Sequence, residues 1–472
     1  MDRQFVGAVL SLSVLLMLSG CMPPERPLPA DAGITSPDGW REDNETGTGQ
    51  ALNADWWRNF NDPALERLIE QALARNTDVL TAASRVEEAQ ARIGLSRAGQ
   101  LPSIDASVEA SRARTYSVGI ASIGSTAQPG VNIAWQADLW QRLSNLTEAA
   151  RLNYMASRTE RDAMALTVAA TTARSYIGLL SLDAQLTVSR NTLESRREAL
   201  RIARSRAETG YTSQLELTQA QAEYEATAAL VPQLEQAIRE QENALRLLTG
   251  ELPGNIARNR SIADLSPPGI PTLLPSELLI RRPDIVQSEL QLAAADENLA
   301  AARKAFLPQV QLSANGSRLF SSQIDDPVSL WSLGGSILAP IFSGGQLTAE
   351  ANIATAQRDQ AAYNYRGTVL NAFEEVENAM SATERLAEQF NWLKAQESTL
   401  TETLKHARNR YRAGYASYLD ELDAQRNLLD AQLNAIQIRE QQLSNVVTLY
   451  EAMGGGWTKA LDDVSFTSAI GR

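Results

Sequence analysis

Hydrophobic positions along this chain follow two periods, and the whole arrangement is written twice. The stretch DVLTAASRVEEAQARIGLSRAGQLPSIDAS, Asp78 to Ser107, carries helical spacing as far as Leu101-Pro102 and then switches to strict alternation. Ile104, Ala106, Val108 and Ala110 alternate with Ser103, Asp105, Ser107 and Glu109, the period of a strand with two unlike faces. About two hundred residues later, DIVQSELQLAAADENLAAARKAFLPQVQLS (Asp284 to Ser313) repeats the pattern, breaking at Leu307-Pro308. Val310, Leu312 and Ala314 then alternate with polar residues. A second alternating run follows in each copy, through Val131, Ile133, Trp135, Ala137 and Leu139, and through Trp331, Leu333, Gly335 and Ile337. The intervening stretches YSVGIASIGSTAQPG and FSSQIDDP predict loops.

Each second strand leads into a long helix-compatible stretch without proline, Ser144 to Thr209 and Thr348 to Ala413. Helices of that length would span about 100 Å, more than an ordinary globular core needs. Both stretches end in nearly the same words, SRAETGYTSQLELTQAQ (Ser205 to Gln221) and RYRAGYASYLDELDAQ (Arg410 to Gln425). Gly210 and Gly414 suit left-handed helix ends, and Ser213 and Ser417 suit the N-caps of returning helices. Those returning helices carry a mostly apolar period-3.5 seam, at 217, 220, 224, 227, 231, 234, 238, 241, 245 and 248, and at 419, 422, 426, 429, 433, 436, 440, 443, 447 and 450. Pro232 should kink or split the first of them, and Gly250 and Gly454 end them at matching places. Near the front, Asp62 and Pro63 start a helix that Asn76 can end.

The divisions that follow are a signal peptide at 1–20, a leader at 21–61, a first repeat at 62–254, a Pro-rich crossover at 255–282, a second repeat at 283–456 and a tail at 457–472. The first repeat has strands near 102–115 and 130–140 and a hairpin tip near 210; the second has strands near 308–320 and 329–342 and a tip near 414.

Composition narrows the function. The 472 residues carry a net charge of −13, which argues against a nucleic-acid binder. One cysteine and one histidine exclude an internal disulfide and a Cys/His zinc site, and no phosphate loop or nucleophile–base pair is present. The run FVGAVLSLSVLLML from Phe5 to Leu18 is too short to span a bilayer and ends in LSGC, which resembles a bacterial lipobox with Cys21 as the acylated residue. Acyl chains contribute about 0.8 kcal/mol per buried CH₂, so an N-terminal acyl and diacylglycerol lipid on Cys21 would anchor the chain in the outer membrane. No later run reaches about 18 apolar residues, so the sequence predicts no transmembrane helix and any span must use strands. Four strands cannot close a barrel, whereas three chains supply 3 × 4 = 12. A lipid-anchored periplasmic coiled-coil scaffold without a pore fits the same pattern.

Four segments carry a resemblance: LPSELLIRRPDI (Leu274 to Ile285), the paired Leu-Pro strand starts, APIFSGGQL (Ala339 to Leu347) and RYRAGYASYLDELDAQR (Arg410 to Arg426). With LSGC, they make the chain similar to TolC-like outer-membrane efflux factors, in the OprM-like and NodT-type lipoprotein branch. The resemblance implies an α+β membrane protein: a homotrimeric 12-stranded transmembrane β-barrel, four strands per chain, continued by a long periplasmic α-helical barrel of coiled-coil hairpins with two internal repeats. It implies a passive exit duct for drugs or other small toxic compounds, not an enzyme. The partners would be a periplasmic membrane-fusion adaptor and a proton-driven pump of the resistance-nodulation-division (RND) type in the inner membrane. Type I protein secretion and metal efflux are the alternative duties; one His and seven Met offer little soft-ligand chemistry for copper or silver.

The resemblance also assigns residues. Gly210, Tyr211, Thr212 and Ser213, and Gly414, Tyr415, Ala416 and Ser417, would form the hairpin tips that meet the adaptor. Asp420 and Asp423, three apart on one helix face, would line a constricted aperture and favour cations. Acids in a first helical turn also meet the helix dipole, at about 0.3–1 kcal/mol each, and the two roles are compatible. Tyr411 and Glu216 stand where a tyrosine and an acid tie neighbouring hairpins across the closed entrance. Ala416 replaces an arginine common at that position, removing one closing contact, and Gln219 in place of an acid makes the ring threefold rather than sixfold. Gln141 stands where such proteins often carry glycine, which leaves the local turn open. His406 and Asp325-Asp326 read as solvated positions, and Trp56-Trp57 as packing of the leader against the helical belt.

Overall fold

A computed structural model describes residues 26–41, 52–117, 120–269 and 273–457; Cys21, the apolar run before it and the tail beyond 457 lie outside the described residues. Repeat 1 contains α1 (Pro63–Arg75), α2 (Thr77–Ala98), β1 (Ser103–Ser117), β2 (Ile120–Ala137), α3 (Arg142–Glu208) and α4 (Gln214–Leu248). Repeat 2 contains α5 (Pro275–Arg281), α6 (Pro283–Lys304), β3 (Gln309–Ser321), β4 (Val328–Leu338), α7 (Gln346–Arg412) and α8 (Tyr418–Ala452). Compactness cuts across the repeats: one unit takes 1–34, 84–158 and 287–367, and the other takes 35–83, 159–286 and 368–472.

In the first unit the four strands form one antiparallel sheet in the order β1-β2-β3-β4. Ile104 pairs with Ile133, Trp135 with Leu312, and Gly316 with Trp331. β2 is longer than the alternation predicts, because the Gly-rich text from Ile120 onward is strand rather than loop. Its glycines answer a packing need: a Cβ on Gly130 would stand 2.9 Å from Ser317 Cβ. Pro129 lacks an N–H, and the β2–β3 pairing passes from Ala127 to Gly130 without a partner for Gln128 or Pro129. β4 stops at Leu338, short of the expected 342, with Pro340 just beyond. The sheet exposes large apolar side chains, Val108 at 75% and Trp331 at 81%, more than water tolerates on a free surface. Between β2 and α3, Gln141 adopts a left-handed conformation (φ 61°), so the turn keeps the geometry a glycine would take. Asp138 holds it, accepting from the Leu143 and Ser144 amides at 3.0 and 2.8 Å.

In the second unit the core gathers Trp56 and Phe60 from a short leader turn, Leu65 and Ile69 of α1, Tyr176, Ile177 and Leu180 of α3, Leu245 of α4, and Leu443, Val447 and Tyr450 of α8. Trp56 stacks on Tyr450 at 5.6 Å, so the Trp pair does pack against helices. Tyr176 donates to Asp62 at 2.8 Å, and Asp62 caps α1 through the Ala64 amide at 2.8 Å. α3 holds one stretch apolar enough by composition to cross a membrane, and half of that stretch is buried within the structure. Ala169, Ala173, Ile177 and Leu180 place it in the core. In the crossover, Arg258 reaches Asp183 of α3 at 2.5 Å and Glu242 of α4 at 2.6 Å.

Two expectations for the returning helices change. Pro232 does not split α4, which runs unbroken from Gln214 to Leu248; a proline forfeits one hydrogen bond, and the seam packing on both sides of it outweighs that. On α8 the period-3.5 seam is only part of the buried surface. Leu419 and Arg426 are exposed, whereas Glu421, Ala424, Ala431, Ala435 and Ile438 are buried off the seam. α8 therefore packs on more than one face, while every seam position of α4 is buried or half-buried.

Each hairpin and each returning helix ends on a glycine at positive φ: Gly210 at 75°, Gly250 at 69°, Gly414 at 78° and Gly454 at 88°. The bonds Tyr211 N→Arg206 O (2.8 Å) and Tyr415 N→Arg410 O (2.9 Å) close the tips as Schellman turns. Surroundings differ sharply. A Cβ on Gly210 meets nothing within 4 Å, whereas one on Gly250 would stand 2.6 Å from the Arg75 carbonyl. Gly210→Ala is therefore expected to cost about 1 kcal/mol of backbone strain, and Gly250→Ala about 3 kcal/mol because overlap is added. Thermal unfolding of the two variants side by side checks the order; equal losses would refute it.

Candidate functional site at the hairpin tips

The two tips bring the candidate residues to one end of the second unit. Gly210, Tyr211, Thr212 and Ser213 join α3 to α4, and Gly414, Tyr415, Ala416 and Ser417 join α7 to α8. Tyr211 and Tyr415 are 87% and 80% exposed, so both tips offer an aromatic ring to solvent. Ser213 caps α4 by accepting from the Glu216 amide at 3.2 Å. Ser417 starts α8, and its amide and hydroxyl both donate to Asp420 Oδ2, at 3.0 and 2.9 Å.

Glu216 and Asp420 hold equivalent positions, three residues past their caps, yet they turn differently. Asp420 folds back onto Ser417 and stabilises its own helix end. Glu216 turns outward and accepts from the Tyr411 hydroxyl and from the Thr212 hydroxyl. Tyr411 lies on α7, so this contact joins the two hairpins of a single chain. Arg206 sits 5.2 Å from the centre of the Tyr411 ring, and Tyr418 packs beside it at 5.6 Å. Burial, then the Glu216 carboxylate, pushes the Tyr411 hydroxyl well above the ordinary tyrosine value. Burial, with Glu421 next, pushes Tyr418 up to about 12. Asp423 is mostly exposed, and Arg426 lies 3.9 Å from it. The pair therefore divides: Asp420 is engaged as a cap, and Asp423 is the freer carboxylate.

Sequence reading missed the charges buried behind the tips. Arg196 of α3 and Glu223 of α4 are both buried. Arg196 Nη1 lies 2.9 Å from Glu223 Oε2, and Arg426 of α8 donates to the other oxygen through Nε at 2.8 Å. Glu421, also buried, pairs with Arg408 at 3.2 Å and accepts from Gln425 at 3.1 Å. One signal was available: Arg426 is a charge at a seam position, where only a buried or bridging partner makes sense. Arg206, Arg408, Tyr411, Tyr418 and Glu421 also line a cavity of about 550 Å³. His406 and the Asp325-Asp326 pair are exposed. Among the described residues no cluster suited to a metal ion occurs.

Tyr411→Phe is expected to cost about 1 kcal/mol, and Ser417→Ala about the same through the lost cap. A raised tyrosine value means the Tyr411 contribution is fully present below pH 10 and is lost as pH rises through the shifted value. Amide exchange at the tips should accordingly stay flat from pH 7 to 10, after correction for intrinsic rates, and speed up above; an acceleration below pH 9 would contradict this assignment.

Comparison with known proteins places the chain among outer-membrane efflux proteins. The family model described as outer membrane efflux protein matches residues 68–251 and 274–455, once over each repeat. The pyoverdine export outer membrane protein OpmQ of Pseudomonas putida is 32% identical over 462 residues, covering 94% of this chain and 97% of that protein. The probable outer membrane lipoprotein SilC of Salmonella typhimurium is 30% identical over 467 residues, covering 96% and 99%. Among solved structures, the CmeC outer membrane channel of Campylobacter jejuni superposes with a TM-score of 0.83 at 26% identity, covering 93% of this chain and 95% of that one.

Proposed function

The chain belongs to the outer membrane efflux protein family and is an outer-membrane component of an efflux system; from that premise we propose that it is the passive exit duct, working as a homotrimer. The observation that carries the reading is the four-stranded sheet with exposed apolar side chains, whose strand pairs lead along the chain into long helices that return through paired tips. Such a sheet has two edges, and in hydrocarbon each unpaired backbone group costs several kcal/mol. Three copies edge to edge close the sheet into a barrel of 3 × 4 = 12 strands, with the long hairpins continuing it into the periplasm. Of the relatives named above, OpmQ is an export protein and CmeC a channel, which favours transport over catalysis.

The remaining assignments follow from that duct. An adaptor of the membrane-fusion type meets the tips at Tyr211 and Tyr415, and an RND-type pump supplies the driving force and selects the cargo, small toxic compounds or metabolites. Cys21 carries the lipid; the lipoprotein name of SilC supports this reading. Asp423, with Asp420 behind it, forms the acidic aperture, and Tyr411–Glu216 helps hold it closed.

Single-channel conductance in a planar bilayer tests the proposal. Asp420→Asn/Asp423→Asn is the informative variant, since asparagine keeps cap hydrogen bonding while removing charge. Wild-type protein should give small cation-selective steps, with cation preference about twofold or more lower in the variant. Identical selectivity would move the constriction elsewhere, and silent, well-assembled oligomers would sink the duct reading.

A further inference from the structure

One face of the four-stranded sheet changes character along its length. Residues paired across neighbouring strands share a face. The register therefore puts Ile104, Ile133, Ala314 and Leu333 on one side, with Val131, Gly316 and Trp331 beside them. Asp105 and Glu109 alternate to the other side. At the strand ends that lead into helices, Trp135 borders the apolar face, its indole N–H donating to the Gln100 carbonyl at 2.9 Å. Aromatic residues mark the borders of the apolar band in outer-membrane barrels in this way.

Toward the turns the same face becomes basic. β1 runs Ile104, Ala106, Val108, Ala110 and then Arg112 and Arg114; β3 runs Val310, Leu312, Ala314, Gly316 and then Arg318. Aligned on Leu101-Pro102 and Leu307-Pro308, the two copies place Arg112 and Arg318 at one equivalent position, ten residues past the proline. Ten residues of strand rise about 34 Å, or about 25 Å in height at the usual barrel tilt, which matches the apolar band. All three arginines are exposed. The residues opposite them, Ser125, Ile123 and Ser329, are not acids. The Phe320 ring centre lies 5.9 Å from the Arg318 guanidinium. Although the chain carries a net charge of −13, the strand positions of this face hold arginines and no carboxylate; Asp325 and Asp326 lie in the turn beyond.

Arginine is expelled from the middle of a bilayer but tolerated at its border, and its planar fork matches phosphate through two hydrogen bonds. β1 and β3 are alternate strands, about 10 Å apart, and Arg114 stands about 7 Å along the strand from Arg112. We propose that Arg112 and Arg318, with Arg114 beside the first, form an outward basic belt that seats phosphorylated lipid headgroups of the outer leaflet, their acyl chains lying along the apolar face. The proposal rests on the duct reading and deepens it by naming a lipid that the barrel holds: a closed trimer presents 3 × 2 = 6 equivalent arginines.

Native mass spectrometry of the full-length oligomer tests this, with lipid A bearing two phosphates as the probe and phosphatidylcholine and inorganic phosphate as comparators. Wild type should retain lipid A in preference to phosphatidylcholine, and high salt should weaken that retention. Arg112→Gln/Arg318→Gln should bind lipid A about tenfold more weakly, since charge-assisted hydrogen bonds are lost. Inorganic phosphate at matched concentration should neither bind nor compete; equal binding of it would mean a bare anion site and overturn the lipid assignment. Equal lipid A retention by wild type and the double variant would mean that the arginines only reach for water, which also overturns the proposal. If the double variant does not assemble, the single variants decide: each should lose about half of the retained lipid, and undiminished retention in both removes the belt. Conductance of the same preparations separates the two readings. Conducting wild-type oligomers without lipid A preference remove the belt and leave the duct, whereas silent wild-type oligomers remove both.

Discussion

Backbone hydrogen bonding at the two free edges of a four-stranded sheet governs the design of this chain. β1 and β4 each pair on one side only. In water an edge is hydrated; in hydrocarbon it has to find another strand. In the proposed trimer that requirement is met by the strands of neighbouring copies. It also accounts for the side chains: Val108, Trp331 and Leu333 are too exposed for water and suited to lipid. The helical hairpins inherit the arrangement, since each long helix follows directly from a strand hairpin.

Much of this was legible because it depends on local rules. Proline-free stretches that follow each second strand and end at the Gly-Tyr tips located α3 and α7, whose ends at Glu208 and Arg412 lie within a residue of the expected ones. Gly210 and Gly414 are left-handed because nothing else closes a Schellman turn so cheaply. The contact between Tyr411 and Glu216 could be anticipated only through family resemblance, since nothing in local spacing joins positions 195 residues apart.

What failed to show in the sequence depends on tertiary packing. Gly124 and Gly130 read as loop residues, yet both sit in β2, where a Cβ on Gly130 would stand 2.9 Å from Ser317 Cβ. Pro232 reads as a kink or a split, and α4 is not split there. On α8 the apolar seam hides a second buried face of alanines and of Glu421, because small residues and paired charges leave little hydrophobic signal. The Arg196–Glu223–Arg426 group is invisible for the same reason: three charges on three helices look like ordinary surface until the helices are set side by side.

The three glycines after α8 act as a clasp. Gly454, Gly455 and Gly456 are all left-handed, and a Cβ on each would overlap, in turn, the Arg281 carbonyl, Leu166 and the Asn53–Ala54 backbone. Their seat is therefore built from the leader, α3 and α5, all of which leave the ribosome first. The segment thus clasps three stretches far apart in the sequence, with no room for a side chain at any of its three positions. A polypeptide ending before Gly454 would lose the segment that fastens the end of α8 to the leader, α3 and α5.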